Sequence, residues 1–216
     1  MRQEGVLRHA AVRLLGLIPT LLVLITIAFF LIRIAPGGPF DGEKILPPEI
    51  RANLDANYHL DEPLLQQYFR YLGQIISGDF GPSFQYKDWT VNELIARGFP
   101  VSATIGGLAM LLAFVLGTLI GTLAALRQNS AMDYSVMGVA MLGISIPNFV
   151  VAPLLILVTA VYAGWLPAGG WDWSWQRMVL PVITLALPVI AYIARLTRGS
   201  MIEVLHSNYI RTARAK

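Results

Sequence analysis

Four stretches of the chain carry no Asp, Glu, Lys, Arg or His: residues 14–32, 98–126, 134–171 and 178–194. At about 1.5 Å rise per residue, the shortest makes about 25 Å of helix. A bilayer's hydrocarbon core is about 30 Å thick and accepts helices of roughly 17–25 residues. The pattern therefore predicts an all-α, polytopic transmembrane helical bundle. Its spans are placed at residues 14–34, 99–126, 134–163 and 178–195. They are separated by an N-terminal tail (1–13), an insert (35–98), a short loop (127–133), a Trp-rich loop (164–177) and a final segment (196–216).

The insert has soluble character. Pro47-Pro48-Glu49 opens a short helix with Ile50, Leu54 and Tyr58 on one face. Asp61 is positioned to cap a second helix with Pro63 in its first turn. Leu64, Leu65, Tyr68, Phe69, Leu72, Ile75 and Ile76 follow helical spacing there. Gly78-Asp79-Phe80-Gly81-Pro82 then reads as a turn. These helices suit a cap over the bundle and equally a docking surface. Trp165, Trp171, Trp173 and Trp175 match the interfacial preference of an amphipathic ring.

Inside the spans, Gly117-Thr118-Leu119-Ile120-Gly121, with Ala125 four residues on, has the small-residue spacing that lets helices approach closely in lipid. Pro147 and Pro153 fall in the third span, Pro181 and Pro188 in the fourth, where each removes a backbone donor and favours a bend. Ser145, Pro147 and Asn148 set polar side chains beside such a break and are the candidate lining of a translocation path.

Composition fits this picture: 56% of residues are hydrophobic and 13% charged, against about 45–50% and about 25% in soluble domains. With no cysteine, disulfides and thiolate metal sites are excluded within the chain. The first apolar run exceeds a signal peptide's core of about 7–15 residues, and no small-residue cleavage site follows, so an uncleaved span is expected. Four spans put both ends on one side. The tails and the 127–133 loop hold nine Lys/Arg and three Asp/Glu, the opposite side seven and ten. Basic residues concentrate on the cytoplasmic side, so both ends are expected in the cytoplasm. The net charge of +3 reflects this topology and not a nucleic-acid partner.

Chemistry is sparse. The spans offer none of the acids, histidines or arginines that proton-coupled carriers and voltage sensors use. His9, His59 and His206 lie far apart with no metal-ligand spacing, and no GxxxxGK loop occurs. No catalytic or metal-binding residue is assigned, and a membrane-embedded hydrolase is remote. Energy for active transport must then enter from segments outside this sequence or from another subunit.

The final segment suggests where. Ser200 and Glu203 have the spacing of a capping box. At about 100° per residue, Met201, Ile202, Leu205, Tyr209 and Ala213 share one arc of an expected unbroken helix to Lys216, opposite Glu203, Ser207, Arg211 and Arg214. Periodicity alone leaves two uses open: lying on anionic lipid or docking in a partner's groove.

Tyr209-Ile210-Arg211-Thr212-Ala213-Arg214-Ala215-Lys216 resembles the start of the EAA motif of bacterial ABC importer permeases. Arg211 and Thr212 stand at the motif's first two positions, a departure similar to the peptide-importer branch. Glu203 to Asn208 also looks like that branch, although Asn208 stands where Asp is common. So do Tyr58-His59-Leu60-Asp61-Glu62-Pro63-Leu64 and Gly78-Asp79-Phe80-Gly81-Pro82-Ser83-Phe84. The resemblance covers nearly the whole chain and is closest to the oligopeptide-permease type. It implies a permease subunit importing oligopeptides across the bacterial inner membrane, six spans of which four are present here, and a coupling helix that inserts into an ATPase subunit. Glu203, Asn208, Tyr209, Ile210, Arg211, Thr212, Ala213, Arg214 and Lys216 would form that docking segment. The implied partners are a homologous second permease subunit, two cytoplasmic ATPase subunits, a periplasmic peptide-binding protein and membrane lipid. ATP and Mg would be bound by the ATPases, and this chain would bind no cofactor. The same scaffold serves dipeptides, nickel chelates and glutathione, and a membrane-anchored sensor or scaffold is the rival from another class.

Overall fold

A computed structural model describes residues 2–34, 59–83, 85, 86 and 89–215, without the side chains of residues 2–7, 10, 11, 209 and 214. The helix expected from Pro47 onward lies outside the described residues, as does Lys216. The described chain is helical, with one isolated bridge pairing Pro82 and Thr90. Three helices are long and apolar enough to cross a membrane, and a bent helix pair makes a fourth such segment if it counts as one span. The chain divides into two compact units, residues 1–96 and 97–216.

In the first unit, α1 (Arg2–Ile34) carries no charged residue from Leu14 to Ile32 and exposes most of the large side chains described there. Its hydroxyls are satisfied within the helix: Thr20 donates to the Gly16 carbonyl at 3.1 Å and Thr26 to that of Leu22 at 2.6 Å. In hydrocarbon a lone hydroxyl has no water to turn to, so this local pairing suits a lipid setting. Charge ended the expected span at residue 14, yet the helix continues to Arg2.

The second helix, α2 (Leu64–Ile76), begins one residue after Pro63. Asp61 does not cap it: Pro63 occupies the N-cap, and its carbonyl accepts from the amides of Gln66 and Gln67. Against α1, Tyr68 shares a 2.6 Å hydrogen bond with Thr26, and Phe29 lies 5.3–5.5 Å from the Tyr68 and Tyr71 rings. Gln67, though polar, is buried. Its amide nitrogen donates to the Leu60 and Glu62 carbonyls, and its oxygen accepts from Arg33 Nε at 2.6 Å. Leu65, Phe69 and Ile76 remain exposed, so α2 is only partly covered.

The expected turn at 78–82 forms with Gly78 and Gly81 both at positive φ, and Asn92 clasps it through Gly78 O and Phe80 N. The next helix, α3 (Val91–Leu126), starts eight residues before the boundary expected at 99. The reason is a reciprocal capping box: Glu93 N–H donates to Thr90 Oγ1, and Thr90 N–H to Glu93 Oε2.

In the second unit, α3 packs against α6 (Trp175–Leu205) along a stripe of small residues. Ala109 and Ala113 meet Ala186, and Leu112, Val182, Val189, Ile190 and Ile193 close around them. Further along, Gly117 lies against Ile190 and Ile193, and Gly121 against Ala194 and Thr197. Both helices ascend in number along this contact, so they run parallel.

The segment expected as one helix over 134–163 is divided. α4 (Ala131–Ser145) and α5 (Asn148–Ile156), the latter continuing as a π-helix (Leu157–Tyr162), meet at a bend of 101°. Pro147 has no amide hydrogen to continue the ladder, and Ile146 is already extended at ψ 119°. Proline's bias against a preceding α conformation accounts for the break. Prolines 153, 181 and 188, by contrast, remain inside helices.

Candidate functional site

The final segment is not the single helix its periodicity suggested. α6 continues from the apolar run through Arg198, Gly199 and Ser200 to Leu205, so Ser200 and Glu203 lie inside a helix and form no capping box. The chain then breaks at His206 and Ser207 before α7 (Asn208–Ala215). Backbone and side chains close the end of α6 together. His206 N and Nδ1 reach the Ile202 carbonyl at 3.2 and 2.8 Å, and Ser207 N and Oγ the Val204 carbonyl at 3.0 and 2.6 Å. The Ser207 carbonyl then accepts from Arg211 N, starting α7. A periodicity of 100° per residue carries across such a break unaltered, which is why the sequence concealed it.

The docking candidates therefore sit on two helices. Glu203 is on the last turns of α6, exposed. Asn208, Arg211, Thr212 and Ala213 are exposed on α7, and Ile210 is half-buried. Thr212 donates back to the Asn208 carbonyl at 2.9 Å. The Tyr209 and Arg214 positions belong to α7, their side chains outside the described set, and Lys216 lies beyond it. The short α7 thus presents a guanidinium, a hydroxyl and a small apolar residue to its surroundings.

Behind this segment the structure places a pair that sequence reasoning missed. Asp133, in the first turn of α4, is fully buried, and Arg198 of α6 grips it with two bonds: Nε to Oδ1 at 2.5 Å and Nη2 to Oδ2 at 2.6 Å. Bidentate Arg–carboxylate pairs of this kind fix orientation as well as charge. The same Asp133 Oδ2 accepts from Asn129 N at 3.0 Å, and the Asp133 amide donates to its helix cap, Ser130 Oγ. Asn129 takes φ 61° to make this turn, a conformation Asn tolerates better than most residues.

Ser145, Pro147 and Asn148 sit at the α4–α5 break. Ser145 donates to the Met141 carbonyl and is exposed, as is Pro147; Asn148 is half-buried. They do not line the cavity of the second unit. That cavity, about 510 Å³, lies among the early turns of α3, α5, the 167–170 loop and α6, with Val101, Ile105, Ala152, Ile156, Leu180 and Pro181 on its walls. Its one charged lining residue among those described is Arg177, paired with Asp172 at 3.0 Å and donating to the Gly169 carbonyl. The Ser174 hydroxyl and amide, with Arg177 in addition, hold the Asp172 carboxyl below its ordinary range. Thr184, also in the wall, donates internally to Leu180 O, so the lining is mainly apolar, with Ser102 and Arg177 as its other polar side chains. Around it the Trp165, Trp173 and Trp175 rings are exposed. Among the described residues no three His, Asp or Glu side chains converge as metal ligands.

Residues 117–216, which hold both the close helix crossing and the final segment, match the family described as the binding-protein-dependent transport system inner membrane component. Over 205 residues the chain is 60% identical to the oligopeptide transport system permease protein OppB of Salmonella typhimurium (strain LT2), covering 94% of this chain and 67% of that protein. It is 59% identical over the same length to OppB of Escherichia coli (strain K12). The dipeptide transport system permease protein DppB of Bacillus subtilis (strain 168) is 47% identical over 209 residues, 97% of this chain and 68% of that protein.

Proposed function

The chain belongs to the inner-membrane components of binding-protein-dependent transport systems, and from that premise we propose that it is the permease subunit through which an ATP-driven importer moves oligopeptides across a bacterial inner membrane. The observation that carries the substrate is the 60% identity to an oligopeptide permease over nearly the whole chain. The subunit works in a transport complex and is not itself an enzyme. Its partners in this reading are a second, homologous permease subunit, two cytoplasmic ATPases that bind ATP and Mg, and a periplasmic peptide-binding protein. The excess of Lys and Arg on the tails and the 127–133 loop supports cytoplasmic ends.

In this reading α7 is the contact with an ATPase. Its exposed Arg211 and Thr212 offer hydrogen-bond donors to a partner groove, and the Ser207 carbonyl joins it directly to the closed end of α6. Movement of the ATPase is thereby delivered to a helix that packs along α3 and α4. The apolar chamber beside α5 and α6 suits side chains of varied sequence, because dispersion and desolvation do not select a particular polar pattern.

The test is reconstitution of the subunit with its ATPases, permease partner and binding protein in proteoliposomes. ATP-driven accumulation of labelled tri- to pentapeptides is expected, and its absence overturns the reading. Replacing Arg211 or Arg214 by Glu should uncouple uptake from hydrolysis without loss of membrane insertion. The 47% identity to a dipeptide permease supports a second reading, in which dipeptides accumulate and longer peptides do not.

A further inference from the structure

We propose that Asp133 and Arg198 form a clamp that stays closed through the transport cycle and makes the start of α4 move as one body with the end of α6. The inference rests on the coupling role proposed for α7. Three observations carry it.

The first is position. Arg198 lies beyond the apolar run of α6 and seven residues before Leu205, where the helix ends and the chain turns into α7. The pair therefore sits between the exposed docking segment and the packed helices, not in the middle of the core.

The second is the form of the pair. Both carboxylate oxygens are engaged by one guanidinium, and Asp133 is further fixed by Asn129 N while its own amide is held by the Ser130 cap. A displaced Arg198 would leave a fully buried carboxylate without its counter-charge, which is the costly state for such a group. A closed pair thus resists separation of the two helices more steeply than apolar side chains, which slide at little cost.

The third is what lies along each helix from the pair. On α6 the preceding turn is pressed against α3, with Gly121 facing Ala194 and Thr197. α4 runs back antiparallel to α6, Gly143 facing Ala191 near its far end. Two residues beyond Ser145 comes Pro147 and the 101° bend into α5, which borders the apolar chamber. A displacement arriving at α7 passes into α6, through the pair into α4, and so to the bend. Asp133 and Arg198 are positioning residues in this scheme and touch no transported molecule.

The chain has no native cysteine, which permits a direct test in the complete importer, its other subunits freed of reactive cysteines. D133N and R198Q complexes should assemble at wild-type yield by size exclusion, and peptide uptake per ATP hydrolysed should fall at least tenfold. A D133C/R198C complex should show the same loss. Bridging its two thiols with a short bifunctional reagent should restore most of the coupling, because a clamp that never opens is not harmed by being made permanent. Blockage of uptake by the bridge overturns the proposal, since the pair must then open during the cycle. So does an unchanged coupling ratio in assembled single variants. Failure of both single variants to assemble also overturns it, by assigning the pair to folding. No uptake by the unmodified complex overturns the functional reading and the inference together.

Discussion

Gly121 faces Ala194 so closely that a β-carbon built on it would lie 2.9 Å from Thr197 Cβ and closer still to the Ala194 carbonyl oxygen. Backbone cannot yield as the tip of a flexible side chain can. Gly121→Ala should therefore destabilise the α3–α6 packing by about 1–3 kcal/mol, the usual range for overpacking. Gly106, on the same helix with nothing within 4 Å of a built β-carbon, is the control. Gly106→Ala should be neutral or slightly stabilising, because alanine is the better helix former. Thermal unfolding of the purified, detergent-solubilised variants separates the two.

The bend at Ser145–Pro147 makes a prediction about distance. Spin labels on Ser135→Cys and Val161→Cys, both exposed positions, would lie about 39 Å apart along a straight helix and about 24 Å apart across the observed bend, by helical rise alone. Double electron–electron resonance should return the shorter value. Pro147→Ala restores a backbone donor and should shift the distribution towards the longer one.

Gln67 ties three backbone or side-chain partners from a buried site. Gln67→Ala strands the Arg33 guanidinium's partner position and two carbonyls, a loss of about 1–3 kcal/mol when such groups are left unsatisfied. The measurement is amide hydrogen exchange over residues 64–76, which should accelerate, while exchange in residues 97–126 should not change.

Acid should loosen the loop that borders the apolar chamber. Ser174 and Arg177 hold the folded-state Asp172 below its unfolded value. A depressed carboxyl contributes stability that is present above the unfolded value, about 4, and is lost as pH falls through the folded one. Fluorescence of Trp171, Trp173 and Trp175 should be flat at neutral pH and shift below about pH 4. Asp172→Asn should remove that acid transition.

Much of the fold could be read locally. Each charge-free run holds apolar helix among the described residues, one helix in each of the first, second and fourth runs and a bent pair in the third, because an unpaired ion in lipid is costly. The same signal misplaced the helix ends. Charge reports where lipid stops, whereas the helix of Thr90-x-x-Glu93 begins where its capping box forms, and α1 and α6 run on past their apolar runs. The Pro147 break was visible as a residue type, but a proline gives no angle, and Pro181 and Pro188 stay within α6. In the final segment, motif and spacing marked the residues that α7 carries, although Ala213, expected on the apolar arc, is exposed. They did not mark the separation of α7 from α6, since helical phase survives a two-residue interruption. Asp133 and Arg198 are 65 positions apart, and each alone resembles an ordinary loop charge; only the antiparallel course of α4 brings them together.

The prolines of α6 are unevenly placed along its length. Both its prolines, 181 and 188, fall in the first half, where each leaves a gap in the backbone ladder. From Val189 to Leu205 no proline interrupts it. The interrupted part of the ladder is thus next to the apolar chamber and the continuous part next to α7, as in a boom jointed at its root. Seventeen residues make an arm of about 25 Å, so a swing of about 10° at Pro188 carries Leu205 through about 4 Å. A bend at Pro188 therefore moves the α7 end of the helix most, while the turns that line the chamber, Leu180 to Leu185, lie on the other side of the pivot.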